Sequence, residues 1–131
     1  MILADTHAWL WWVTGDKRLS PSADGALNRE LVAISAISMW EVAQLAAKGR
    51  IQLDADALVW LEEAIEETLD RPKITVLELT PAICATGAGF GTRLHRDPSD
   101  RLIVATALTH GVALVTADQA IAASGLVRTV W

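Results

Sequence analysis

Short apolar runs recur along this chain with helix signals between them, and that alternation limits its fold more than any other feature. Met1-Ile2-Leu3-Ala4, Leu31-Val32-Ala33-Ile34-Ser35, the stretch 73–79 and Val112-Ala113-Leu114-Val115-Thr116-Ala117 read as strands. Leu126 to Val130 reads as a final edge strand. Residues 6–14, closed by Gly15, predict the first helix. Ser20-Pro21 predicts an N-cap followed by proline at the first helical position, opening a helix to Arg29. Ser38-Met39-Trp40-Glu41 has the form of a capping box opening a helix to Lys48, with Gly49 as its stop. Residues 56–69 read as an amphipathic helix, with Leu58, Leu61, Ile65 and Leu69 on one face and Glu62, Glu63, Glu66 and Glu67 turned outward. Thr80-Pro81 and Asp97-Pro98 open two more, the second stopped by Gly111, and a short helix follows Asp118. Gly87, Gly89 and Gly91 are expected to loosen the chain before Asp97. Strand and helix in alternation imply βαβ units with right-handed crossovers. The expected fold is therefore α/β, a three-layer α/β/α sandwich around a mainly parallel sheet. The 131 residues suit one domain over 1–131, without linker or repeat.

The acids are placed with a pattern of their own. Asp5 ends the first run, Glu41 lies just past the second, Asp100 opens the stretch Leu102-Ile103-Val104-Ala105, and Asp118 ends the fourth run. Each sits at a strand exit or a helix entry. In an open parallel sheet those places converge on one edge, where ligands bind. Every one also has a local explanation: Asp5 and Asp97 can cap helices, Glu41 and Asp100 can be third helical residues, and Asp118 can be a turn aspartate. A helix N-terminus favours a carboxylate by only about 0.3–1 kcal/mol. Carboxylates within a few ångströms of one another repel by a comparable amount or more. A hard divalent cation, Mg²⁺ or Mn²⁺, resolves that imbalance, with Asp5, Asp100, Glu41 and Asp118 as candidate ligands. Such a site activates water against a phosphodiester and needs no Ser, Cys or His nucleophile. His7 and His95 lie near the same edge without zinc-type spacing. His95 can contact phosphate or assist proton transfer; it can equally be a loop histidine.

The formal charge of −5 argues at first against a nucleic-acid partner. Its distribution weakens the objection. Residues 54–70 hold seven acids and no base, so the remainder nets positive. Arg93, Arg96 and Arg101, with Lys48 and Arg50, become candidate phosphate contacts. The single cysteine, Cys84, excludes an internal disulfide framework and points to a reducing cytoplasm. In the apolar pattern Ala82-Ile83-Cys84-Ala85 it reads as a buried small hydrophobe. No run is long enough to span a membrane, and the first residues lack the basic leader of a signal peptide.

Four motifs then carry a resemblance: Ile2-Leu3-Ala4-Asp5-Thr6-His7-Ala8; Ser35-Ala36-Ile37-Ser38-Met39-Trp40-Glu41-Val42; His95-Arg96-Asp97-Pro98-Ser99-Asp100-Arg101-Leu102-Ile103; and Leu114-Val115-Thr116-Ala117-Asp118. In this order they resemble PIN-domain proteins, and most closely the VapC-type toxins of bacterial toxin–antitoxin pairs. The resemblance implies a Mg²⁺- or Mn²⁺-dependent endoribonuclease, held in check by a VapB-type antitoxin and commonly homodimeric. By position, Asp5, Glu41, Asp100 and Asp118 match the family's acidic set, and Asp97 an extra acid of one subgroup. Asp5 and Asp100 are expected as direct ligands, Glu41 and Asp118 through water or at a second metal. Ser99 departs from the subgroup, which often has an aromatic residue there. Arg93, His95, Arg96 and Arg101 are the expected RNA contacts. Trp9, Trp11, Trp12, Trp40 and Trp60 are candidates for an antitoxin groove, since tryptophan is enriched where proteins meet; the alternative places Trp9 and Trp12 in the core. Two other functions compete. A PIN-like binding module without catalysis would keep the fold. A receiver-type phosphoacceptor domain would need a lysine late in the chain, and none follows Lys73.

Overall fold

The computed structural model describes residues 1–51, 59, 62, 63 and 74–131. Of the helix expected over 56–69, only Val59, Glu62 and Glu63 are described, all three helical; the rest, with Trp60, lies outside the described residues. Strands β1 (Ile2–Ala4), β2 (Val32–Ser35), β3 (Thr75–Leu77), β4 (Ala113–Val115) and β5 (Thr129–Val130) form one sheet in the order β3-β2-β1-β4-β5. Every pairing is parallel. Among the described residues the helices are α1 (Thr6–Thr14), α2 (Pro21–Arg29), α3 (Ala36–Ala47), α4 (Pro81–Ala88), α5 (Pro98–His110) and α6 (Gln119–Ser124). β1 is central. The chain first builds outward through β2 and β3, then crosses to the other side of β1 to add β4 and β5, so the strand order reverses between β1 and β4. That reversal opens a crevice at the carboxyl ends of the strands.

The central strands are buried on both faces, which is why they read as unbroken apolar runs instead of alternating ones. Successive side chains point to opposite sides. Ile2, Ala4, Val32, Ile34, Ala113 and Val115 pack on one face with Trp9, Trp12 and Leu27. Leu3, Ala33 and Leu114 pack on the other with Ile83, Phe90, Ile103 and Ile121. The two cores make the three-layer sandwich.

Most helix boundaries follow local chemistry. Ser20 and Thr80 accept from the amides of Ala23 and Ile83, each with proline in the first turn. Gly15 and Gly111 close α1 and α5 at φ 67 and 63, a left-handed conformation that costs a Cβ-bearing residue energy.

Four local expectations are corrected. The capping box at Ser38 does not form. α3 begins at Ala36 because β2 runs into it without a loop, leaving Ser38 buried inside the first turn and Ser35, without a side-chain cap bond, at its N-cap. Cys84 is exposed, because α4 turns Ile83 and Gly87 inward. Gly87 does not loosen the chain: a Cβ there would stand 3.3 Å from the Arg101 carbonyl, so its small size lets α4 approach α5. Trp9 and Trp12 are in the core, at 0% and 2% exposure, because α1 lies directly over the sheet. They are thereby removed as groove-lining candidates, while Trp11 is half-buried and Trp40 exposed.

Candidate metal centre

Asp5 leaves the end of β1 and caps α1. Its Oδ1 accepts from the Ala8 amide at 2.7 Å. Thr116, at the end of β4, donates to the Asp5 side chain and accepts from the Asp118 amide at 3.0 Å, tying the two sides of the crevice together. Asp118 caps α6 through Oδ1, with the amides of Ala120 and Ile121 at 2.7 and 3.0 Å. Asp97 caps α5 by accepting from the Asp100 amide at 3.1 Å, as its place before Pro98 predicts. Asp100 is then the third helical residue, one turn into α5.

Glu41 reaches the same place differently. Since α3 starts early, Glu41 is free of capping, and its Oε1 accepts from the Thr6 hydroxyl at 2.6 Å. The Ser38 hydroxyl lies 3.0 Å from the same Thr6 oxygen. Thr6 and Thr116 are supports that reading for acids alone passes over. Their signal is position: one directly follows Asp5, the other precedes Asp118 by two residues.

Asp5, Glu41, Asp97, Asp100 and Asp118 all line one cleft of about 460 Å³ at the strand reversal. The expected convergence is thus observed. His95 stands beside it, with Nε2 3.3 Å from Asp100 Oδ2 and 3.6 Å from Asp118 Oδ2. The Asp97 amide donates to His95 Nδ1 at 3.4 Å, which places the ring proton of the neutral tautomer on Nε2, facing the acids. One ligand atom each of His95, Asp100 and Asp118 lie within 4.8 Å of one another.

The electrostatics are those of acids lacking a counter-charge. Burial raises the Asp5 carboxyl, against the opposing hydrogen bonds from Thr116 and the Ala8 amide. Burial raises Glu41, which Thr6 opposes and Asp97 assists. Asp100 is pushed up to about 7, first by burial and then by Asp97, with His95 pulling the other way. The donor set is mainly carboxylate oxygen, the chemistry preferred by Mg²⁺ and Mn²⁺. The residues present therefore fit a hard divalent ion.

The expected arginines fare unevenly. Arg101 is corrected as an RNA contact. Its Nε donates to the His95 carbonyl at 2.9 Å, NH1 to Gly87 at 3.2 Å, and NH2 to Leu94 at 2.8 Å and to Gly91. It carries its charge from α5 into the 87–95 backbone and holds the loop that presents His95. Arg93 is partly committed as well, donating to the Phe90 and Gly89 carbonyls. Arg96 is exposed, with no hydrogen bond or ion pair among the described residues.

A larger cleft of about 730 Å³ adjoins the first, sharing His7, Glu41 and Asp97. Trp40, Ile37, Leu45 and Leu79 give it an apolar wall, and Lys48 and Arg50 line it too. Ser99 is buried and lines this cleft, where an aromatic ring would have packed.

Comparison with known proteins agrees with this architecture. The PIN domain family model matches residues 2–124. Ribonuclease VapC22 of Mycobacterium tuberculosis is 38% identical over 119 residues, covering 90% of this chain and 87% of that protein. VapBC2 from Rickettsia felis, solved bound to a DNA fragment from its promoter, superposes with a TM-score of 0.69 at 14% identity, over 98% of this chain and 97% of that one. A toxin–antitoxin complex from Klebsiella pneumoniae gives 0.69 at 21% identity, covering 97% and 95%. FitAcB from Neisseria gonorrhoeae gives 0.62 at 22% identity, covering 98% and 96%. With the family model spanning nearly the whole chain and a close relative of VapC type, this protein belongs to the PIN-domain family, among its VapC-type members.

Proposed function

We propose that residues 1–131 act as one PIN-like domain, a metal-dependent endoribonuclease toxin of a type II toxin–antitoxin pair. The observation that carries this reading is the meeting of five acids from four separate places along the chain in one cleft. The 38% identity to a ribonuclease of the VapC type supports the substrate class. Asp5 and Asp100 would hold Mg²⁺ or Mn²⁺ directly, with Glu41 and Asp118 contributing through water or at a second ion and Asp97, whose charge raises both Glu41 and Asp100, as a further ligand. When bound, the ion would supply an acidified water and neutralise charge on the phosphodiester.

The chain's own residues do the rest. Thr6 and Thr116 hold Glu41 and Asp5 in ligating positions. His95 Nε2–H faces the acids and can hydrogen-bond the leaving oxygen, which takes its proton from water to give a 5′-phosphate and a 3′-hydroxyl. Arg96 and Arg93 are RNA-contact candidates at the His95 side, where their charge can position the phosphate backbone. A VapB-type antitoxin is the proposed protein partner. The apolar wall around Trp40, opening toward Glu41 and Asp97, is its proposed seat, and Trp11, which lines the adjoining carboxylate cleft, is a second candidate contact. A homodimer and a cytoplasmic location complete the proposal. No helix among the described residues is long and apolar enough to cross a membrane.

The test is incubation of the purified protein with total RNA in Mg²⁺, Mn²⁺ or EDTA, beside Asp5→Asn and Asp100→Asn. Cutting in either metal, loss in EDTA and a roughly hundredfold or greater loss in each variant are expected. Cutting in EDTA, or equal cutting by Asp5→Asn, would sink the reading. Retained RNA binding without any cutting would favour the non-catalytic module.

A further inference from the structure

Among the described residues the carboxylate cleft is lined by a single arginine, and it is none of those that chain position suggests. Arg18, from the turn after α1, lines the cleft of Asp5, Glu41, Asp100 and Asp118. It also lines a second cleft of about 530 Å³ that shares His7 and Trp11 with the first and contains Arg50. The two clefts therefore meet at Arg18 and Trp11, and a strand lying across both would pass this guanidinium on its way to the acids.

Arg18 is held at that junction from two sides. Its Nε donates to Asp16 Oδ1 at 3.1 Å, and its NH2 to Asp16 Oδ2 at 2.8 Å. The guanidinium carbon lies 5.0 Å from the centroid of the Trp11 ring. Trp11 is itself braced by His7 and Trp131, at centroid distances of 5.8 and 5.7 Å. Yet the Arg18 side chain remains 69% exposed, and its NH1 has no hydrogen-bond partner among the described residues. An exposed ion pair of this kind adds little stability. What it does is fix the plane of an otherwise floppy side chain, so that little conformational freedom is lost when NH1 finds an acceptor.

A guanidinium at the mouth of an acidic cleft, with one nitrogen still free to donate, meets a specific need. The metal-loaded site attracts the phosphate to be cut, while the phosphates on either side would face acids such as Asp97, which has no cationic partner among the described residues. A planar donor fixed beside the site relieves that repulsion for one of them. Resting on the ribonuclease reading, we infer that Arg18 is a substrate-positioning residue that donates from NH1 to an RNA phosphate next to the scissile one, with the strand running on through the Trp11–Arg50 cleft.

The experiment measures cutting of a labelled, mixed-sequence pool of single-stranded oligoribonucleotides in Mn²⁺ over a series of KCl concentrations. It compares the unaltered protein with Arg18→Ala, Arg18→Lys and Arg29→Ala. Arg29 is exposed on α2 and lines none of the three clefts. In Arg18→Ala, KM should rise roughly tenfold with kcat little changed, as for the loss of one charged hydrogen bond. The slope of log(1/KM) against log salt should fall by about 0.7, the loss of one single-strand phosphate contact. Arg18→Lys should keep most of the slope, and Arg29→Ala all of it. An unchanged KM and slope in Arg18→Ala, while the unaltered protein cuts, overturns this inference alone. So does unchanged RNA handling accompanied by loss of inhibition by an antitoxin, which would assign Arg18 to the protein partner. If the unaltered protein cuts neither the pool nor total RNA in metal, the ribonuclease reading and this inference fall together.

Discussion

At the scale of single residues, the acids of the cleft depend on two threonines. Thr6 is 2% exposed and its hydroxyl is the hydrogen-bond donor to Glu41. Thr6→Val keeps the shape and removes that donor, leaving a half-buried carboxylate unsupported. Loss of such a supporting hydrogen bond commonly costs about 10–100-fold in metal affinity or activity. We expect a loss in that range for Thr6→Val, with Thr6→Ser close to the unaltered protein; Mn²⁺ titrations of cutting rate would show an unshifted midpoint if Thr6 were mere packing. Asp100 gives a second prediction. Its carboxyl, raised to about 7 chiefly by burial, must lose a proton to take a cation. Mn²⁺ affinity should therefore be weaker at a pH below 7 than above it, with proton release on binding. Calorimetry showing equal affinity on both sides of 7 would contradict this.

At the scale of elements, the 87–95 segment owes its form to an arginine from the following helix. Arg101 binds four of that segment's carbonyls. Arg101→Gln leaves several of them unpaired, and those on the buried residues Gly87 and Leu94 would each cost about 1–3 kcal/mol. The expected result is a melting temperature lower by several degrees and weaker cutting, because His95 is displaced; wild-type stability would remove Arg101 from this role. These elements also show what a sequence can disclose. The caps Ser20, Thr80 and Asp97 were legible because their partners lie within one turn. The convergence of Asp5, Glu41, Asp100 and Asp118 was legible because parallel topology sends strand exits to one edge. Glu41 misled as a capping residue because α3's start is set by how β2 ends, not by Ser38. Arg101 misled as a surface charge because its partners are backbone carbonyls, which carry no residue identity. Cys84 misled because one helical step separates it from the inward-facing Ile83.

At the scale of the molecule, folding and metal binding oppose each other until the ion arrives. Asp5, Glu41 and Asp100 are all raised in the folded state. Between the ordinary aspartate value of 3.8 and about 7, the folded protein holds more protons than the unfolded chain. Metal-free stability contributed by these groups must then fall as pH rises through that window. Added Mg²⁺ or Mn²⁺ binds the folded, deprotonated site and reverses the trend. Thermal melts in EDTA should show a decline from pH 5 to pH 7.5, about the window just given, and a metal-induced rise that is larger at the upper end. A metal-free melting temperature that climbs across this range would refute the account.

The acids come from four distant places along the chain, and the last, Asp118, follows β4. Asp5 and Glu41 thus precede the other half of the sheet by a wide margin in the sequence, and Asp100 by a single helix. Until β4 pairs with β1 and Thr116 reaches Asp5, the cleft has only one wall. A chain that stops before β4 therefore lacks Thr116 and Asp118 as well, and cannot assemble the cleft whatever else of the sheet has formed.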